Sequence, residues 1–296
     1  MTATTVDAAG RSGGRRSRLG RAASPYLLVL PSAVFVALVF GWPVVSGIGD
    51  AFTDEGAFTL THWRRMVDDP LFRPALRNTM LLTVAIIPLQ FVFAIAMALL
   101  LHARPRFAGL YFYVWVVPLA VSDLAAGLVW LSIFSDRGYL NSLLDRLGVD
   151  PVEWLSYLNT QTMFMAVVIA EIWRATSLVL VIVVAGMQLM PRDYDEAAQV
   201  FGASFWQRLR HVVLPQLKPS LQVALILRTI LALQTFAVAQ ALTGRNLPVL
   251  VGESYEWTVQ LYDQPVGAAI ATLLLGIATL FSIFYLWALR PTKALR

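Results

Sequence analysis

The sequence contains no cysteine, which excludes disulfides and thiolate metal sites. Its three histidines, His62, His102 and His211, stand far apart. They form no HExxH or paired spacing, so no metal site is expected and nothing points to a catalytic residue. No GxxxxGK[ST] phosphate loop occurs, so nucleotide hydrolysis would have to lie on another chain. Charge is scarce: 14% of the 296 residues are Asp, Glu, Lys or Arg, against about 25% in soluble domains. Internal repeats, low-complexity tracts and a separable soluble domain are also missing.

Apolar residues fill the space. They make up 58% of the chain, against about 45–50% in a soluble domain. A helix needs about 20 mostly apolar residues to cross a bilayer. Six runs qualify, at 26–48, 80–101, 110–134, 163–189, 221–242 and 266–289. The expectation is an all-α integral membrane protein with six transmembrane helices. Pro43, Pro88 and Pro118 lie within or near these spans, which membrane helices tolerate where neighbours re-satisfy the freed carbonyl.

The net charge of +5 has a reading that needs no nucleic acid. The tail 1–25 holds Arg11, Arg15, Arg16, Arg18 and Arg21. The loop after the second span holds Arg104 and Arg106, and the loop after the fourth holds Arg192, Arg208, Arg210 and Lys218. Arg290, Lys293 and Arg296 stand at the end. The opposite loops hold about half as many basic residues. By the positive-inside rule both termini are cytoplasmic. The tail is read as an orientation signal beside anionic lipid. It is not read as a signal peptide, because the following apolar run exceeds the 7–15 residues of such a segment. The remaining organisation is a six-helix domain over 26–290 and a short C-terminus, 291–296.

Loop 190–218 interrupts this greasy chain with "DYDEAAQVFGASFWQRLRHVVLP". Pro191 suits a first helical turn. Asp193, Asp195 and Glu196 complement a helix N-terminus. Gly202 is placed to end that helix in a left-handed conformation. Ser204 and Gln207 read as a capping box opening a second helix. Two short helices bent at a glycine, outside the bilayer, are predicted. Such an element is either an interfacial amphipathic loop or a docking surface for a cytoplasmic protein.

Four charges fall inside spans: Asp123, Glu171, Arg174 and Arg228. Each would cost about 2.5–3.5 kcal/mol facing lipid, so all four are expected to face the interior. Glu171 and Arg174 are three apart and share a helix face. Midplane polar groups are where transporters bind substrate. The structural alternative is a buried ionic network that orders the bundle. Trp130, Trp173, Gln234 and Gln240 are further candidates for a solute path, since an indole offers an apolar face and an amide both a donor and an acceptor. Packing and interface anchoring are the alternatives for these four.

The residue order in the loop carries more. "EAAQVFGASFWQRLRHVVLP" resembles the loop of ABC-importer permeases through Glu196, Ala197, Ala198, Gly202, Ala203, Leu214 and Pro215. "TLTHWRRMVDDPLFRPALRNTMLLT", "LQFVFAIAMALLLHARPRFAGLYFYVWVVP", "GYLNSLLDRLG" and "AGMQLMPRDYDEAAQVFGA" resemble the sugar-type branch, similar to maltose and glycerol-phosphate permeases. "LLVLPSAVFVALVFGWPVV" resembles the first of two permease subunits. "RTILALQTFAVAQALTGRNLP" departs from that branch, which puts the solute in doubt and leaves the mechanism standing.

The resemblance implies a type I importer permease fold in the bacterial inner membrane. The loop would be a coupling helix docking on an ATP-binding subunit. Implied partners are a second permease, two ATP-binding subunits that hold ATP and Mg, and an extracytoplasmic solute-binding protein. The chain itself would bind no cofactor. Arg174 and Arg228 look like general features of the family, whereas Asp123 and Glu171 are less typical of it. An ion-driven secondary transporter, with Asp123 and Glu171 as carriers, is the first rival, and the lack of an inverted repeat speaks against it. A membrane enzyme is the second.

Overall fold

The computed structural model describes residues 28–191 and 193–289. The basic tail 1–25, the end 291–296 and Arg192 lie outside these residues. Four helices are long and apolar enough to span a membrane singly, and two bent pairs raise the number to six. The first span is α1, Leu28–Phe52. A two-strand hairpin follows, with β1 (Thr53–Asp54) antiparallel to β2 (Ala57–Phe58). Then come α2, Thr61–Asp68, and the second span α3, Phe72–His102. That span begins a full two turns before the expected residue 80, because "FRPALRN" continues the helix and Pro74 falls in its first turn, where it is tolerated. Pro88 sits inside α3 without ending it.

The third span is broken. α4, Ala108–Val116, tightens into a 3₁₀ turn through Ala120, and α5, Asp123–Phe134, restarts after two residues. Ser122 caps α5, its Oγ accepting from the Ala125 amide at 3.3 Å. The stretch Ala108–Ala120 and the stretch Asp123–Arg146 that follows the break are bent by 103°. A short helix α6, Tyr139–Arg146, follows, then the unbroken fourth span α7, Thr160–Gln188.

α8, Asp193–Val200, opens the polar hairpin. Its second arm, expected as a separate short helix, is instead the start of span five: α9 runs from Phe205 to Leu233 through a π turn at Leu209–Val213. Pro215 follows directly on the π turn, and Pro219 sits inside the helix without ending it. Span five then breaks at 234–236 and resumes at 42° as α10, Ala237–Thr243. α11, Leu250–Tyr255, leads to the sixth span α12, Gln264–Ala288.

Three apolar clusters hold the bundle. Phe134, Val167, Val238 and Leu242 meet between α5, α7 and α10. Phe91, Val179, Leu180 and Leu217 join spans two, four and five. Met66, Phe72, Leu250 and Ile270 close the end near the β-hairpin. α5 packs directly on α10. A Cβ at Gly127 would lie 2.6 Å from the Ala241 Cβ, so a small residue is required for that approach. α1 packs against α12 and leaves most of its apolar surface open, with Phe35 and Val45 largely exposed.

Candidate functional site

The intramembrane charges converge on one point between spans three, four and five. Glu171 and Arg174 are one turn apart on α7. Arg174 donates to both Glu171 oxygens at 3.2 Å from Nη2. Arg228 reaches across from α9, its Nη2 donating to Glu171 Oε2 at 2.8 Å. On its other side Arg174 Nη1 meets Asp123 Oδ1 at 2.7 Å. The result is an alternating chain: Asp123, Arg174, Glu171, Arg228. Desolvating four charges is costly, and the alternation with close hydrogen bonds offsets that cost.

The four differ in exposure. Arg228 and Glu171 are shut away, at 0% and 1%. Asp123 is 56% exposed and sits at the first position of α5, at the break, rather than enclosed at a span midpoint. The chain of charges therefore runs from the bundle's centre to its surface.

A fifth member has no charge and was not singled out in the sequence. Gln90 of α3 is completely buried. Its Nε2 donates to the Glu171 backbone carbonyl at 2.9 Å, and its Oε1 accepts from Arg228 Nε at 2.6 Å. A lone amide within the apolar "PLQFVF" is the one sequence signal that could have found it. Arg228 Nη1 still lacks a partner among the described residues.

The aromatic candidates lie close by. Trp130 and Trp173 meet edge to face at 6.0 Å. Trp130 also stacks on Phe134 at 5.1 Å, and its buried indole N–H has no partner among the described residues. Trp173 is 38% exposed. Gln234 and Gln240 are not drawn into the network. Gln234 is exposed at the break in span five. Gln240 faces a cavity of ≈ 80 Å³ lined by Phe236, Arg245, Glu253 and Glu256. There Arg245 bridges Glu253 at 3.0 Å and Glu256 at 2.8 Å. Burial pushes the Glu253 carboxyl up from its ordinary value, and Arg245 pulls it back in part.

The second feature is the hairpin. Gly202 has φ +77°. Its amide donates to the Gln199 carbonyl and the Ala203 amide to the Ala198 carbonyl, both at 2.9 Å. These are the two bonds of a Schellman stop. The Ser204–Gln207 capping box is fully formed. Arg208 donates to Asp195 Oδ2 at 3.0 Å and locks the two arms together. Glu196 and Ala197 are exposed, and Ala198 and Ala203 are half-buried. Beside them Val200, Phe201 and Trp206 are 85%, 90% and 74% exposed. Among the described residues, this element fused to span five leaves an apolar and acidic surface exposed.

A multi-pass helical bundle with an ionic core and such a hairpin between spans four and five is the membrane component of a transport system. Residues 90–291 match the family of binding-protein-dependent transport system inner membrane components, and the chain belongs to that family. It is 31% identical over 287 residues to the trehalose/maltose transport system permease protein of Thermococcus litoralis, covering 92% of this chain and 94% of that one. It is 30% identical over 280 residues to the sulfoquinovosyl glycerol transport system permease protein of Agrobacterium fabrum, covering 89% of each. The fold matches, at TM-score 0.78 and 19% identity, a chain of a bacterial ABC transporter that imports the acidic polysaccharide alginate, covering 94% of this chain and 100% of that one. Family membership does not favour the ion-driven alternative.

Proposed function

We propose that this chain forms half of the translocation pathway of an ATP-driven importer for a sugar or a related polyhydroxylated solute. The observation that carries the proposal is the hairpin around Glu196–Gly202, capped at both arms, apolar at its tip and continuous with span five. Such a surface suits a soluble ATP-binding subunit, whose closure would push on α8 and α9. Force would then pass to the fourth and fifth spans on either side. ATP and Mg would be held by two such subunits, with no ATPase site and no cofactor on this chain. A second, similar permease would supply the other half of the path, and an extracytoplasmic binding protein would deliver the solute. Both termini would be cytoplasmic, on the side of the hairpin.

The sugar reading is supported by the names of the relatives and by aromatic and polar groups at the span breaks. Asp123, Arg174, Trp130, Trp173, Gln234 and Gln240 are the proposed solute-facing groups. Glu171 holds Arg174 in place, and Arg228 in turn holds Glu171.

The test of coupling is made on the assembled complex. Glu196→Lys and Gly202→Asp are expected to abolish solute-stimulated ATP hydrolysis or to detach the ATP-binding subunits. Retention of both assembly and stimulated hydrolysis in each variant would overturn the proposal.

A further inference from the structure

Two cavities meet at the end of the bundle that carries the hairpin. They share His102, Arg104 and Met190 in their walls. The first, ≈ 370 Å³, lies beneath the hairpin and includes Asp195 and Glu196. The second, ≈ 330 Å³, lies between the ends of α3, α4 and α7. Its deeper wall is apolar, with Leu101, Phe112, Val184 and Met187, and its rim carries His102, Arg104 and Gln188. Among the described residues, no carboxylate lines it.

The rim is held by an unusual turn. Arg104 and Phe107 have φ +53° and +71°, although neither is glycine. Such angles cost energy for side-chain-bearing residues and persist only where surrounding bonds enforce them. Here the Arg104 amide bonds the Leu101 carbonyl at 3.0 Å, and the Ala108 amide bonds the Pro105 carbonyl at 3.0 Å. The turn sets the Arg104 side chain at the cavity mouth. Among the described residues, neither Arg104 nor Arg106 forms an ion pair.

The position along the membrane normal follows from the spans. α3 ends at His102, α7 ends at Gln188 and α4 begins at Ala108. The mouth therefore lies where hydrocarbon gives way to headgroups, and the apolar wall lies on the hydrocarbon side. A cationic rim over an apolar slot between helices suits a lipid with a negative headgroup. The neighbouring cavity suits it less, because Glu196 lies in its wall and Asp195 there already holds the Arg208 guanidinium at 3.0 Å.

We propose that the second cavity is a binding site for one anionic phospholipid. Its phosphate sits at Arg104, with His102 and Gln188 as further donors, and the start of an acyl chain lies along Phe112 and Val184. The shared wall of His102, Arg104 and Met190 places this lipid against the support of the hairpin.

The test uses the full chain in its assembled complex, in neutral detergent. Phosphatidylglycerol, phosphatidylcholine and water-soluble glycerol phosphate are titrated separately. Retained lipid is read by native mass spectrometry, and stabilisation by thermal shift. Phosphatidylglycerol is expected to bind saturably and more tightly than phosphatidylcholine, and glycerol phosphate to give no shift. Arg104→Asn suits the backbone at φ +53° and removes the charge. It is expected to weaken phosphatidylglycerol binding about fivefold, the effect of one cation near an anionic surface. Arg104→Lys should keep most of the affinity. Unchanged phosphatidylglycerol binding in Arg104→Asn would overturn the proposal. So would equal binding of the two lipids by the wild type, or a shift with glycerol phosphate as large as that with the lipid. The readouts do not involve the transported solute, so the outcome is independent of the function proposed above.

Discussion

Arg228 Nη2 lies 2.8 Å from Glu171 Oε2, and neither side chain reaches solvent. The pair fastens span five to span four, and Gln90 bonds both residues from span two. The two partners are not equivalent. Glu171 has a second cation in Arg174, whereas Arg228 has no other carboxylate within bonding distance among the described residues. Glu171→Leu therefore leaves Arg228 buried without a counter-charge, at a cost of about 3–5 kcal/mol. Arg228→Met is expected to cost less, because Glu171 keeps Arg174. Pairing Glu171→Leu with Arg228→Met should recover much of the loss. Unfolding midpoints of the three variants in detergent check this ordering, and equal losses in the two single variants would refute it.

Asp123 and Arg174 make a different kind of pair. Asp123 is more than half exposed, and exposed ion pairs contribute about 0–1 kcal/mol. Asp123→Asn is expected to leave thermal stability nearly unchanged while lowering solute uptake in intact cells. Wild-type uptake kinetics in this variant would remove Asp123 from the proposed path.

The approach of α5 to α10 rests on Gly127. Its added Cβ would meet Ala241 at 2.6 Å and the Val238 Cα at 3.3 Å. Backbone stands on one side, so the neighbour has little room to give. Gly127→Ala should destabilise by about 1–3 kcal/mol, and Ala241→Gly in the same chain should restore most of it. Failure of that rescue in thermal melts would show that the contact does not set the helix spacing.

At Gly202 the opposite holds. A Cβ there meets nothing within 4 Å, but φ is +77°. Gly202→Ala is therefore penalised only by backbone conformation, by about 1–2 kcal/mol. Ser204→Ala loses the cap, at about 1 kcal/mol. Both should speed amide hydrogen exchange over 198–207 and leave exchange in α7 unaltered. Exchange rates in the hairpin equal to the wild type would count against its rigidity.

Glu253 supplies a pH dependence. Its carboxyl is raised chiefly by burial, with Asp69 and Glu256 adding to the rise and Arg245 opposing it. The folded chain thus holds the proton to higher pH than the unfolded one. The stability this group contributes is complete below the ordinary glutamate value and is lost as pH rises through the raised value. Lowering pH from neutral should raise the wild-type melting temperature more than that of Glu253→Gln. Identical pH slopes would show that Glu253 is not the group responsible.

Much of the hairpin was legible in sequence because its devices are local. Acidic residues at the first turn, Gly202 at the stop and Ser204 with Gln207 at the restart each act on backbone groups close by in the chain. Glu171 and Arg174 were legible as a pair for the same reason, through helical spacing. Gln90 was not, because its role depends on a residue 138 positions away. Neither were the breaks. Pro88 sits inside an unbroken span, while span five breaks at 234–236 with no proline or glycine there.

The sequence by itself determined that this chain crosses a membrane repeatedly, because apolar length and scarce charge leave few other solutions. It also determined the hairpin and, through residue order, the family. Only the tertiary structure decided where spans three and five bend, which of the intramembrane charges meet, and that Asp123 ends exposed while Arg228 ends sealed. The reason is physical. Helix capping and hydropathy are summed over neighbours in the chain, whereas desolvation and ion pairing depend on which helices face one another.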